Sequence, residues 1–227
     1  MQDQPSVNYI IKCERVAFFD NYFYRKPQPI AGADASTFRV LAQWFGADRE
    51  HVYFLHNIVT GADPASFVYL GGYNWQWAKD HAYVYCFWPS KAATRWRVLE
   101  SQRVAGFQIL PGCRFAEYAG DGELVFYTGK LIRGCDAPSF HIMPVEQIED
   151  KITRPSIHFA RDRSRIYFDG KLLKQANPNT FRVISSALAN NMEYGIDGVN
   201  AFFKDWARGK LVVSSQTALP ASLQANS

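Results

Sequence analysis

The chain has 227 residues, 48% hydrophobic and 15% aromatic, which is ample for a packed core. Its net charge of +4 is interspersed along the sequence, too mild to argue for nucleic acid as a partner. No apolar run approaches the ~20 residues of a bilayer-spanning helix, and the N-terminus carries Asp3 and Glu14 where a secretory leader needs an unbroken apolar stretch.

Residues 1–15 form an N-terminal segment ahead of a recurring pattern. The pattern first shows, worn, at Asp20 in "AFFDNYFY", followed by "DASTF" at Asp34. It continues as "FGADREHVY" around Asp48 with "DPASF" at Asp63, then "WAKDHAYVY" around Asp80 with a worn "AATRW" ending at Trp96. "YAGDGELVF" around Asp121 is followed by "DAPSF" at Asp136, and "FARDRSRIY" around Asp162 by "NPNTF" at Asn177. "YGIDGVNAF" around Asp197 ends the series. Asp48 to Phe67, Asp121 to Phe140 and Asp162 to Phe181 share one spacing of 19 residues. Such a fixed spacing marks an internal repeat.

Each part of the repeat has a physical role. Asp bonds the backbone two residues on and opens a turn. "VYF" and "IYF" read as strands, and "YTGKLI" and "FDGKLL" as tight hairpins. "DPAS" and "NPNT" pair a capping side chain with Pro, which suits a β-turn or a single helical turn. One such unit cannot bury its aromatic face alone, but stacked neighbours can. The expected fold is mainly β: stacked antiparallel β-hairpin repeats, about six units with the first and last degenerate, and one or two short helices. Units one to four fill 16–143, a linker helix at "PVEQIEDKI" and units five and six fill 144–213, and 214–227 is a disordered tail. "TFRVISSALANN" reads as strand turning into helix, and 199–210 fits either a helix or a capping repeat.

From Val16 to Phe203 this pattern resembles the DKNYY family, bacterial repeat proteins named for an Asp-Lys-Asn-x-Tyr-Tyr stretch. The residue after Asp is Arg49, His81, Gly122 or Arg163 rather than Lys, and the Asn is mostly lost. Those are turn positions, so the implied fold stands. The resemblance brings no activity and no catalytic residue.

The sequence offers little chemistry. His51, His56, His81, His141 and His158 lack a metal-binding spacing. The repeat aspartates lack the carboxylate density of a calcium loop. Cys13, Cys86, Cys113 and Cys135 form no C-x-x-C pair, so reduced thiols in a cytoplasmic protein are expected. Arg161, Arg163 and Arg165 alternate and read as a solvated face. No catalytic residue, metal or cofactor is expected.

One stretch breaks the regularity. "GGYNWQWAKDHAYVYCFWPSKAATRW" holds four of the six Trp and alternates aromatic with polar after a Gly-Gly bend. Tyr73, Trp75, Trp77 and Trp88 are of the types that dominate interfaces, and form the candidate partner-binding set; the competing reading is that these rings are core and fill the junction between two halves of the β stack. The functional expectation is a non-enzymatic protein-binding module, an immunity protein that occludes a cognate bacterial toxin. The alternative is a ligand- or glycan-binding β-repeat protein with Trp75, Trp77 and Trp88 as stacking platforms.

Overall fold

The computed structural model describes residues 8–20, 24–89, 95–99, 103–149, 152–205, 207–215, 217, 219 and 223. The chain divides into two compact units, 1–108 and 109–227. Among the described residues the protein is mainly β, and no helix reaches seven residues.

The first unit is a run of antiparallel meanders. Tyr9–Lys12, Arg15–Phe18 and Gln28–Pro29 make one sheet. Arg39–Ala42, Phe45–Ala47, Val52–Phe54 and Asn57–Ile58 make the next. Val68–Gly72, Gln76–Lys79, Val84–Trp88 and Arg95–Leu99 make the third. The described part of the N-terminal segment, from residue 8, is part of the fold, because Tyr9 is buried with its ring 5.2 Å from that of Phe38.

In the second unit, Tyr118–Gly120, Val125–Tyr127 and Lys130–Leu131 form one meander. An eight-stranded sheet follows, from Lys171–Leu172 at one edge to Lys210–Ser215 at the other. Its middle pair, His141–Gln147 and Arg182–Ser185, runs parallel with Val145 opposite Val183. Both strands follow a repeat phenylalanine, Phe140 or Phe181. Equivalent strands of successive units thus lie side by side in the same direction, as stacking by translation requires.

The linker helix expected from Pro144 is instead part of the strand His141–Gln147. Met143 and Val145 are buried while Pro144 and Glu146 are exposed, a period of two. Asn200–Asp205 is a strand paired with Lys210–Ser215, so 199–210 is a capping repeat. "SSALAN" makes a 3-10 turn at Ala187–Ala189, capped by the Ser186 hydroxyl. Of the tail expected to be disordered, 214–215 belong to a strand and Leu219 and Leu223 are buried against Ile184, Tyr194 and Ile196, while 216, 218, 220–222 and 224–227 lie outside the described residues.

The repeat aspartates do more than open turns. Asp48 Oδ1 accepts the N–H of Glu50 (2.8 Å) and of His51 (2.7 Å). Its Oδ2 accepts the Tyr53 hydroxyl (2.6 Å) and the N–H of Asp34, the first residue of the preceding "DASTF" (3.0 Å). Asp80 repeats the set with Ala82, Tyr83, Tyr85 and Asp63. Asp162 does so with Ser164, Tyr167 and Asp136, and Asp197 with Val199, Asn200 and Asn177. A second bond runs beside the first: the residue after the aspartate donates its backbone N–H to the Ser or Thr of the same turn. The pairs are Arg49 to Thr37, His81 to Ser66 and Arg163 to Ser139. The backbone donor is common to the three, while the side chains differ: His81 Nδ1 lies 2.9 Å from Ser66 Oγ and 3.1 Å from Asp63 Oδ2, and the Arg163 guanidinium lies 3.7 Å from Asp136.

The turn phenylalanine closes the junction. Phe38, Phe67, Phe140 and Phe181 are all buried. Each ring lies 5.2–5.8 Å from the aromatic five residues after the next unit's aspartate: Tyr53, Tyr85, Tyr167 and Phe202. The small residue two before the aspartate makes room for it. A Cβ on Gly195 would overlap the Phe181 ring and lie 2.8 Å from Phe159 Cε1.

Candidate functional site

The Trp-rich stretch forms a groove in the first unit. Gly71 and Gly72 have φ of +120° and +148°, and a Cβ on Gly72 would collide with the Trp75 carbonyl, so the chain can turn back there only without side chains. The turn brings Gln76 opposite Phe87, which sets Trp75 against Trp88 across the strands with ring centroids 4.9 Å apart. Trp75 is half-buried, Trp88 is 52% exposed and Tyr73 is 66% exposed. With Trp44 and Tyr69 they line an open groove of about 710 Å³.

Trp77 does not join them. It is fully buried, its ring 5.6 Å from that of Phe107. It occupies the position three before the repeat aspartate, where Phe45, Tyr118, Phe159 and Tyr194 are also core. Its side chain is therefore structural, and it leaves the candidate set of Tyr73, Trp75 and Trp88.

The groove also holds residues outside the candidate set. Asp20 belongs to the worn first unit. Its Oδ2 accepts Asn8 Nδ2 (2.8 Å) and Trp44 Nε1 (3.3 Å), so this aspartate faces the groove. Gln76 takes the Tyr69 hydroxyl on Oε1 (2.5 Å) and donates to the Tyr73 carbonyl (2.7 Å). Gln43, Trp44, Trp75 and Gln76 stand five and four residues before Asp48 and Asp80.

The same positions before Asp162 and Asp197 are Ile157, His158, Met192 and Glu193. In the second unit they line a cleft of about 210 Å³ together with Lys204. The repeat thus builds a concavity at equivalent places with different chemistry. The signal was in the alignment: four before the aspartate stand Trp44, Gln76, Glu117, His158 and Glu193, a variable and mostly polar column among conserved-looking apolar ones.

The second cleft is ionic. His158 Nδ1 lies 2.8 Å from Asp169 Oδ1, and Lys204 Nζ donates to Asp169 Oδ2 (3.1 Å). Burial raises the Asp169 carboxyl, but the His158 and Lys204 contacts outweigh it and hold the group below its ordinary range. Glu193 accepts from Arg154 and from the Ser156 hydroxyl, both at 2.5 Å. Burial pushes Glu117 up, and pushes the thiols of Cys86 and Cys113 up to about 12, so neither thiol is a nucleophile at neutral pH. Among the described residues no three His, Cys, Asp or Glu side chains converge on a possible metal site, and no helix is long and apolar enough to cross a membrane. Arg163 is exposed and pairs with Asp136 at 3.7 Å, while Arg165 bonds the Gly134 carbonyl.

A family model described as the DKNYY family matches residues 18–154, more than half of the chain. The staples of Asp162 and Asp197 carry the same geometry past the end of that match. No curated protein and no solved structure matches the chain.

Proposed function

Since this chain belongs to the DKNYY family, whose repeat here builds a scaffold of strands and stapled turns, we propose that it works as a non-enzymatic protein-binding module through the groove of its first unit. The observation that carries this reading is the exposure of Tyr73 and Trp88 beside Trp75 on a concave surface, in a fold that buries the aromatics closing its unit junctions. Large rings kept in water cost stability and return it only when a partner covers them. The partner we assign is a cognate bacterial toxin, occluded one-to-one, with the chain acting in the cytoplasm as its immunity protein. Support for that assignment is the format: a compact repeat scaffold with one unit released from the regular pattern.

A glycan-binding role is the second reading, favoured by the side-chain amides and the carboxylate on the groove wall. It is weakened because Trp77 is buried and the Trp75 and Trp88 rings meet at 52°, so no extended flat platform is presented.

The test is capture from native lysate with wild type, Trp75→Ala and Trp88→Ala, followed by co-expression with the captured protein. Support is a single protein partner, lost with both variants while their melting temperatures fall by only a few degrees, whose toxicity the wild type suppresses. A partner that both variants retain, or that proves harmless when expressed alone, contradicts the reading. Binding of an oligosaccharide that Trp88→Ala abolishes, with no protein captured, transfers the groove to glycan recognition.

A further inference from the structure

The groove of the first unit brings together six aromatic side chains, those of Trp44, Phe45, Tyr69, Tyr73, Trp75 and Trp88, and one carboxylate, that of Asp20. Among its described lining residues there is no lysine, arginine or histidine. On a chain of net charge +4 this is a local concavity of opposite character. Aromatic faces carry the negative lobe of the ring quadrupole, and indoles carry the strongest, so clustered rings favour a cation over them. A carboxylate fixed at the wall adds a full negative charge, and Asp20 is held in place through Asn8 and Trp44.

The geometry narrows the cation. Trp75 and Trp88 form a corner at 52° rather than a shelf. A compact planar cation can lie on one indole and present its edge to the second wall. Guanidinium does this with its donors in the plane of the group, directed outward to carboxylate and carbonyl oxygens, whereas an ammonium is a strongly hydrated point charge. Gln76, which would otherwise compete to recognise a neutral hydroxyl, is already bonded to Tyr69 and to the Tyr73 carbonyl.

We propose that this groove is an arginine receptor: the partner inserts an arginine side chain, whose guanidinium stacks on the Trp75–Trp88 corner and pairs with Asp20. The proposal rests on the groove being the partner-binding site and names what the partner brings to it.

The test uses the full chain and two near-isosteric planar probes, the cationic N-acetylarginine amide and the neutral N-acetylcitrulline amide. Binding is followed by the indole N–H resonances of Trp44, Trp75 and Trp88. The expected result is saturable shifts with both, and an affinity for the arginine probe about fivefold higher, the scale of a partly exposed cation–π contact. That ratio moves toward one in Asp20→Asn, and also falls in wild type as salt rises to about 0.5 M. If Asp20→Asn does not fold, Trp88→Ala takes its place and lowers arginine-probe affinity at least about threefold.

Equal affinity for the two probes, no saturable shift with either, or a ratio insensitive to both salt and substitution overturns the proposal. The outcomes separate from those of the binding reading. Equal probe affinities with partner capture still lost in Trp88→Ala remove the cation and leave the surface. Strong arginine preference with capture intact in Trp88→Ala removes the partner role, and the proposal with it.

Discussion

Replacing Tyr167 with Phe removes a single oxygen from the staple between two repeat units. Tyr167 is 1% exposed, and its hydroxyl donates to Asp162 Oδ2 at 2.7 Å. That oxygen also accepts the Asp136 N–H at 3.0 Å, and Asp162 is itself 1% exposed. A hydrogen bond to a buried carboxylate contributes about 1.5–3 kcal/mol, and the phenyl ring that remains keeps the packing against Phe140. The expected cost is about 2 kcal/mol. Asp162→Asn should cost more, about 3 kcal/mol, because an amide nitrogen must then face either the Asp136 N–H or the Ser164 N–H. In the Asp162→Asn background, Tyr167→Phe should cost less than about 1 kcal/mol, which gives a large coupling in the double-mutant cycle.

Equilibrium urea unfolding at neutral pH measures all four species, and pH supplies an independent check. Burial raises the Asp162 carboxyl, but the bonds from Tyr167, Asp136, Ser164 and Arg165 outweigh it and leave it below its ordinary value. A depressed folded-state value contributes stability that is fully present above the unfolded value near ~4 and is lost as pH falls through the folded one. The Tyr167→Phe penalty should therefore shrink on acidification below about pH 4. A penalty under about 0.5 kcal/mol at neutral pH, or one that does not change with pH, would refute the staple as the source of inter-unit cohesion.

Other outcomes follow from the same geometry. Phe181→Ala, which empties a buried junction, should cost about 3–5 kcal/mol by chemical denaturation. Trp77→Ala should cost a similar ~3–5 kcal/mol while Trp88→Ala costs under about 1.5 kcal/mol, a contrast read from their urea midpoints. Calcium titrated calorimetrically into chelator-treated protein should give no saturable heat, because both oxygens of Asp48, Asp80, Asp162 and Asp197 already accept protein donors; micromolar binding lost in Asp162→Asn would overturn that.

The repeat was legible in the sequence because the staple uses side chains at fixed offsets. Asp162, Tyr167, Ser139 and Phe140 must each be a particular kind of residue for the junction to close, so they recur and can be aligned. The strand at Pro144 was misread because the acidic "EQIED" pattern hides a two-residue period carried by Met143 and Val145 alone. The groove was half legible. Tyr73, Trp75 and Trp88 drew notice as aromatics in a broken unit. Trp77 was drawn in with them, although its place three before Asp80 already assigned it to the core. Asp20 reads in the sequence only as a worn repeat aspartate and Trp44 alone carries no signal, because they reach the groove from other units and only the stacking brings them to it.

The central claim is that a protein partner covers the Trp-rich groove. A photo-crosslinking amino acid placed at Tyr73, 66% exposed on the groove, and in parallel at Val199, 70% exposed on the second unit, tests it in the living host cell. Position 73 should yield one covalent adduct of defined mass that contains a single partner protein, and position 199 none. No adduct from position 73, or the same adduct in equal yield from both positions, would contradict it.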